Sequence, residues 1–266
     1  MSEHLEAYIY GRRAVQDALQ RGGHVQKVYV LYGSGVEESL RVLAHRAHVP
    51  CAVLDRKRFA ELTRAVGTSL KDTQGVLALV SPIPMMSLLE LLQRVSFGPL
   101  RLLVAVDGIE DPQNLGAIAR SAEAAGADGL ILPRHRAAPL TPAAVKAAAG
   151  SLLYLPVAQV PNLGTALRTL QEAGWWVFGT APDGESLYWE ALYDRAIVLV
   201  IGSEHRGMRP SIRALCDSVL RIPLLGHVQS LNAAAAAAIV LFEIQRQRWQ
   251  MGLRSTLDAQ PSHVSA

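Results

Sequence analysis

From Leu102 to Val106 five apolar residues follow one another, LLVAV, before the chain turns polar at Asp107. A short unbroken run of this kind is what a strand needs when helices cover both of its faces, as in a parallel sheet. Similar runs predict strands at 129–132, 175–179, 197–201 and 219–222, with helices at 141–149 and 163–173 between them. Residues 111–126 carry helix signals in order: Asp111 as N-cap, Pro112 at the first helical position and Gly126 after the last turn. The expectation is an α/β body with an open, mostly parallel sheet over residues 101–250.

The first 80 residues have a different rhythm. Helix-like pieces at 12–21, 37–47 and 56–64 alternate with strand-like pieces at 27–31, 51–54 and 75–80, and Gly22 and Gly23 stop the first helix. This predicts a compact α/β domain over 1–80, large enough to fold alone. Pro82, Pro84 and the Gly98-Pro99 pair bracket 86–95, which reads as one short helix within a linker spanning 81–100.

Near the other end, 226–248 reads GHVQSLNAAAAAAIVLFEIQRQR, a polar loop running into a helix whose first turns are alanine. Alanine is the strongest helix former with the smallest side chain, so Ala233 to Ala238 suit close approach to another backbone or a ligand. Ser230 and Asn232 stand where the loop becomes the helix, as residues that cap or grip a ligand do. Arg246 and Arg248 fall in the last turns, where cations suit the helix dipole. The tail, 251–266, is expected to be disordered, above all after Leu253.

Composition narrows the class. Half of the 266 residues are hydrophobic, enough for two cored domains. Apolar runs are short and broken, and the N-terminus is acidic before it is basic, so neither a membrane span nor a signal peptide is expected and the protein is placed in the cytoplasm. Cys51 and Cys216 lie far apart with no CxxC spacing, which speaks against a disulfide framework or zinc site, and the His45/His48 pair has no companions for a metal. The net charge is +3, with 11 Lys and Arg against 8 Asp and Glu in residues 1–80 and 15 against 15 in the remainder. A slightly basic front unit on a neutral body suits a nucleic-acid-facing module, and an ordinary solvated surface explains the excess equally well.

Three predicted strand exits carry polar residues and glycine: 107–114, 202–207 and 226–232. Ligands of open α/β sheets bind at the carboxyl ends of strands, and glycine lets a backbone N–H reach them. Neither GxGxxG after a strand nor GxxxxGK[ST] occurs, which argues against a dinucleotide or P-loop site and for a pocket formed mainly by main chain.

The same residues carry a family resemblance. Asp111-Pro112-Gln113-Asn114-Leu115-Gly116 with Arg120, then Ile201-Gly202-Ser203-Glu204 with Arg206-Gly207-Met208, then Ile222-Pro223-Leu224 with Ser230-Leu231-Asn232, resemble the three motifs of the SpoU (TrmH) family of RNA ribose 2'-O-methyltransferases, within the SPOUT superfamily. The match spans roughly 101–248, in order. The front unit is similar to the L30e-like RNA-binding domain of bacterial rRNA members, with Gln74-Gly75 near its end. Departures are Thr73 where related rRNA enzymes usually have His, Ser203 where many have Asn, His205 after Glu204 where glycine is usual, and Gln229 where Ser is frequent.

The resemblance implies S-adenosylmethionine held by backbone around Gly202, Ile222 and Leu231, with Thr180 and Leu224 nearby. It implies RNA contacts from Arg12, Arg13 and Gln74, a catalytic set of Arg120, Asn114, Glu204, Ser230 and Asn232, a C-terminal trefoil knot and a homodimer acting on RNA rather than DNA. Among rRNA members the likeness is greatest to enzymes that methylate a guanosine ribose of 23S rRNA; a tRNA ribose methyltransferase and a non-catalytic RNA-binding protein are the alternatives. A ribose hydroxyl is a poor nucleophile, so the reaction needs it positioned in line and its proton lost or its oxyanion stabilised. Arg120 is the first candidate, as general base by resemblance, or as holder of a phosphate and of the forming alkoxide, since a guanidinium rarely gives up its proton.

Overall fold

The computed structural model describes residues 7–20, 25–80, 84–95, 100–138, 140–204 and 206–252. The Gly22-Gly23 stop, Pro82, Gly98-Pro99, His205 and the tail after Leu253 lie outside them. The front unit runs β1 (Ala7–Tyr10), α1 (Arg12–Gln20), β2 (Val25–Leu31), α2 (Glu37–Arg46), β3 (Cys51–Leu54), α3 (Arg56–Ala65), α4 (Leu70–Thr73) and β4 (Val76–Val80). Its sheet has the order β1-β4-β2-β3, with β4 antiparallel to both neighbours and β2 parallel to β3. The sequence pattern does not place β1 or α4, each four residues long and too short to show a period.

Two elements fall between the units. Met85–Met86 form β5, which pairs in parallel with a strand of the large sheet, and Leu88–Arg94 form α5. Ser87 opens α5 with a reciprocal capping box: its hydroxyl accepts from the Glu90 amide while the Glu90 carboxylate accepts from the Ser87 amide.

The body continues through β6 (Leu102–Asp107), α6 (Pro112–Ala124), β7 (Gly129–Pro133), α7 (Pro142–Ala147), β8 (Val157–Val160), α8 (Leu163–Glu172), β9 (Trp176–Thr180), β10 (Ser186–Leu187), β11 (Ile197–Gly202), α9 (Pro210–Arg213), β12 (Ser218–Arg221) and α10 (Ala233–Gln250). Its sheet is ordered β10-β12-β9-β11-β6-β7-β8-β5, and every pairing in it is parallel. The additional strands β8 and β10 are a four-residue piece interrupted by Gln159 and a two-residue edge piece.

Alternation along the strands divides the core between the two faces. Leu102, Val104 and Val106 join Leu115 and Ile118 of α6 and Val240 and Leu241 of α10, whereas Leu103 and Ala105 join Leu167 and Leu170 of α8. All six residues of β6 and all six of β11 are buried, as the continuous apolar run predicts. Gly116 is required by the close approach of α7 to α6: a β-carbon there would lie 2.3 Å from the Ala144 carbonyl oxygen. The front unit meets the body where β1 lies against α7, and the Lys146 ammonium stands 3.8 Å from the Asp72 carboxylate.

Arg248 departs from the simple helix-dipole reading. It is fully buried, and its guanidinium donates to the carbonyls of Tyr193 at 2.9 Å, Leu100 at 2.7 Å and Arg195 at 2.7 Å. It therefore ties the end of α10 to the starts of β6 and β11, satisfying carbonyls that water does not reach.

Candidate active site

Register places the site. Gly202 stands opposite Asp107 in the β11–β6 pair, and Ile201 opposite Thr180 in the β11–β9 pair, so the exits of three strands lie side by side. From β6 the sheet runs through β7 and β8 on one side and through β11, β9 and β12 on the other, so these exits sit where the strand order reverses. Residues 222–232 pass over this edge before α10 begins. Between them is a cavity of about 570 Å³, of a size to take a small cofactor, lined by Thr180, Gly202, Ile222, Leu224 and Leu231 together with Glu204 and Ser230.

The main chain of that covering loop is uncommitted. Among the described residues, no backbone N–H or C=O of 222–231 makes a hydrogen bond. Ten consecutive free carbonyls, and a free N–H at every one of these residues but Pro223, beside a half-apolar cavity suit a flat, heteroatom-rich ligand recognised by backbone. Gly202 clears the opposite wall: a β-carbon there would lie 2.5 Å from the Met208 amide nitrogen, so only glycine allows the chain to return past this point.

Glu204 joins the three polar segments. Its Oε1 accepts from Asn114 Nδ2 at 3.0 Å, from the Ala233 amide at 3.1 Å and from Asn232 Nδ2. Asn232 Nδ2 also donates to Asn114 Oδ1 at 2.8 Å, while Asn232 Oδ1 caps α10 by accepting from the Ala234 and Ala235 amides at 3.0 and 3.2 Å. A carboxylate at the start of an 18-residue helix is favoured by the exposed N–H groups and the helix dipole. Asn232 thus caps its helix and binds the other two segments at once.

Behind Glu204 the chain forms a short hairpin, with Ser203 and Gly207 exchanging backbone bonds of 3.2 and 2.8 Å. Ser203 Oγ accepts from the Arg206 amide at 3.2 Å, so the residue at this position helps hold the turn. The hairpin is anchored from below by Asp107, which is buried and accepts from the Arg209 amide at 2.8 Å and from Arg209 Nε at 2.7 Å. On the far wall Asp183 accepts from Arg213 at 2.7 Å, and that hydrogen bond holds the Asp183 carboxyl below the ordinary carboxylate range. Cys216 lies beneath the cavity against Gly179, and burial pushes its thiol up to about 12, which makes it a packing group rather than a nucleophile.

Residues 101–242 match the SpoU rRNA Methylase family, and residues 8–86 match the family described as RNA 2'-O ribose methyltransferase substrate binding. The chain belongs to the SpoU methylase family. It is 34% identical over 247 residues to a Staphylococcus haemolyticus protein assigned to the TrmH family of tRNA/rRNA methyltransferases, covering 92% of this chain and 97% of that one. The SpoU methyltransferase AviRb from Streptomyces viridochromogenes, solved in complex with AdoMet, superposes with a TM-score of 0.75 at 29% identity, covering 92% of this chain and 91% of AviRb. An AdoMet-bound rRNA methyltransferase from Sinorhizobium meliloti gives 0.74 at 27% identity, covering 91% and 87%.

In this SpoU methylase the expected site residues divide into groups. The five expected cofactor residues, Thr180, Gly202, Ile222, Leu224 and Leu231, all line one cavity. Glu204, Asn114 and Asn232 form one hydrogen-bonded set at its rim, and Ser230 lines the cavity without a hydrogen bond among the described residues. Arg120 stands apart: it is exposed on α6, lies outside the Glu204 set, and its guanidinium makes no ion pair or hydrogen bond among the described residues. Six residues separate it from Asn114, about 120° around the helix, which is why one side chain meets Glu204 and the other does not.

The RNA candidates of the front unit also separate. Arg12 donates from its amide to Gln74 Oε1 at 3.2 Å, from Nε to the Gln74 carbonyl at 3.3 Å and from Nη2 to the Ser34 carbonyl at 2.8 Å. Gln74 takes a left-handed conformation with φ of 52°, and Arg13 beside the pair is exposed. Thr73 is fully buried, its hydroxyl donating to the Leu70 carbonyl at 2.8 Å, so this position serves the turn. Sequence reasoning misses the Asp107–Arg209 and Asp183–Arg213 pairs. The one available signal is Asp107 itself, a charge placed directly after a buried strand.

Proposed function

We propose that this SpoU methylase transfers a methyl group from S-adenosylmethionine to a ribose 2'-hydroxyl in RNA, most specifically a guanosine of 23S rRNA. The observation that carries the reading is the Asn114–Glu204–Asn232 hydrogen-bonded set at the rim of a cavity roofed by uncommitted main chain. Support for a ribose acceptor is the match of 8–86 to the 2'-O ribose substrate-binding family, and support for rRNA is the presence of this front unit together with the rRNA enzyme among the similar structures.

S-adenosylmethionine supplies an electrophilic methyl group on a sulfonium. Thr180, Gly202, Ile222, Leu224 and Leu231 would hold it through the free backbone and apolar walls. Glu204 and Asn114 fix the rim that receives the ribose, and Ser230 offers a hydroxyl free to orient substrate. Arg120, exposed and without a protein partner among the described residues, is available to hold an RNA phosphate and to stabilise the forming alkoxide. Arg12, Arg13 and Gln74 on the front unit extend the RNA surface over residues 1–80, joined through 81–100 to the methyltransferase unit 101–250.

A homodimer, a trefoil knot in the C-terminal segment and a cytoplasmic location belong to the same reading. The dimer is supported by the exposed Ile239, Phe242 and Trp249 along α10, an apolar strip that a second copy would cover. Among the described residues no helix is long and apolar enough to cross a membrane. The test is transfer of labelled methyl from S-adenosylmethionine to 23S rRNA and tRNA transcripts, followed by mapping of the product. Methyl on a 23S guanosine ribose, abolished in Arg120→Ala, is the expected result; transfer to neither RNA, or an Arg120→Ala enzyme as active as the parent, refutes it.

A further inference from the structure

We infer that Arg206 is a second RNA-positioning residue, a clamp for a phosphate flanking the target ribose; this rests on the RNA methyltransferase reading above. Arg206 stands on the Ser203–Gly207 hairpin, two residues beyond Glu204, and its side chain helps line the cavity. Among the described residues the cavity has two arginines. Arg213 is already paired with Asp183 at 2.7 Å, whereas the Arg206 guanidinium makes no hydrogen bond or ion pair among the described residues. Among the described residues no ion pair joins Arg206 to Glu204, whose Oε1 accepts instead from Asn114, Asn232 and the Ala233 amide.

The turn that carries Arg206 is tied to its surroundings by hydrogen bonds. The Arg206 amide is held by Ser203 Oγ at 3.2 Å, the hairpin closes through the Ser203 and Gly207 backbones, and Asp107 fixes the following Arg209 from the buried end of β6. An exposed cation with no partner among the described residues, at the rim of a cofactor cavity, fits an anionic group arriving from solvent. Two anions are available there, an RNA phosphate and the carboxylate of the cofactor. Exposure favours the phosphate, since Arg206 is solvent-facing at the rim, while a small cofactor sits among the buried walls made by Ile201 and Leu220. Phosphate contacts of this kind set register and orientation without reading sequence.

The experiment compares the parent enzyme with Arg206→Ala and Arg206→Lys, using 23S rRNA and tRNA transcripts as acceptors and calorimetry for S-adenosylmethionine alone. In Arg206→Ala the KM for the methylated RNA rises about tenfold, the size expected for one charged hydrogen-bonded contact, and the slope of log affinity against log salt falls by about 0.7. The loss lies mainly in KM because the contact is made in ground and transition states alike. Arg206→Lys restores most of the salt slope, since a point charge still meets the phosphate, and recovers the KM in part. The inference is overturned if Arg206→Ala leaves KM and salt slope unchanged, or if its affinity for S-adenosylmethionine falls in parallel, which assigns Arg206 to the cofactor carboxylate. A parent enzyme that methylates neither RNA refutes the underlying reading of the site instead.

Discussion

Asn232→Asp is the most informative single change at the rim. The replacement is nearly isosteric and keeps an oxygen to cap α10 through the Ala234 and Ala235 amides, so the cap itself survives. What changes is the other atom: Nδ2, which donates to Glu204 Oε1 and to Asn114 Oδ1, becomes a carboxylate oxygen facing both. Two unit charges about 4 Å apart repel by about 4 kcal/mol at an effective dielectric of 20. Glu204 is half-buried and Asn232 exposed, so solvent screening reduces this to about 2 kcal/mol. In a chain of this size that lowers the melting temperature by about 4–8 °C at pH 7.

The sign with pH follows from linkage. Repulsion disfavours the charged form of the introduced carboxylate and raises its folded-state pKa above the unfolded value, so the variant is relieved at low pH and the penalty grows as pH rises through that raised pKa. Glu204→Gln removes one charge, so the double variant is less destabilised than the sum of the two single changes, by a coupling of about 2 kcal/mol. Thermal melts of the four proteins between pH 4 and 8 measure it. Equal stability of Asn232→Asp and parent at pH 7, or additive behaviour in the cycle, would falsify the role given to the Glu204 set.

Other outcomes follow from the same geometry. Arg248→Met leaves the carbonyls of Leu100, Tyr193 and Arg195 without their buried donor, at a cost of about 3–5 kcal/mol, seen as a melting temperature lower by about 10 °C or more. Gly116→Ala gains about 1 kcal/mol of helix propensity yet places a methyl 2.3 Å from the Ala144 carbonyl, a backbone atom; overpacking of about 1–3 kcal/mol wins, and urea titration shows a net loss. Asp183 has a lowered pKa, so the Asp183–Arg213 pair persists above the ordinary carboxylate range and is lost only as pH falls through the depressed value. Calorimetric affinity for S-adenosylmethionine between pH 6 and 8 should show no titration from this pair, and a midpoint in that window removed by Asp183→Asn would contradict the assignment.

Much of this protein is legible in one dimension. The LLVAV run, the alanine helix and the Asp111-Pro112 start report local preferences, and local preferences survive into the fold: Asp111 does cap α6, with its side chain accepting from the Gln113 amide. Elements of two to four residues, β1, β5 and β10, are not visible because their pairing is supplied by distant partners such as Val80, Val157 and Leu220. Arg248 shows the same limit for a side chain. Near a helix end it reads as a solvated cation, and only the arrival of Leu100 and Arg195 makes it a buried clamp.

The linear pattern of residues was enough to set the α/β alternation, the three glycine-containing strand exits and the residue types found at them. Folding settled which of those residues meet. Parallel register puts Gly202 beside Asp107 and Thr180, α10 brings Asn232 to Asn114 across 118 positions of chain, and helical phase leaves Arg120 outside that set. The cause is the range of the forces involved. Propensity and capping act within a turn or two and are written locally, whereas a shared carboxylate such as Glu204 acquires its partners only after the sheet has fixed where distant segments end.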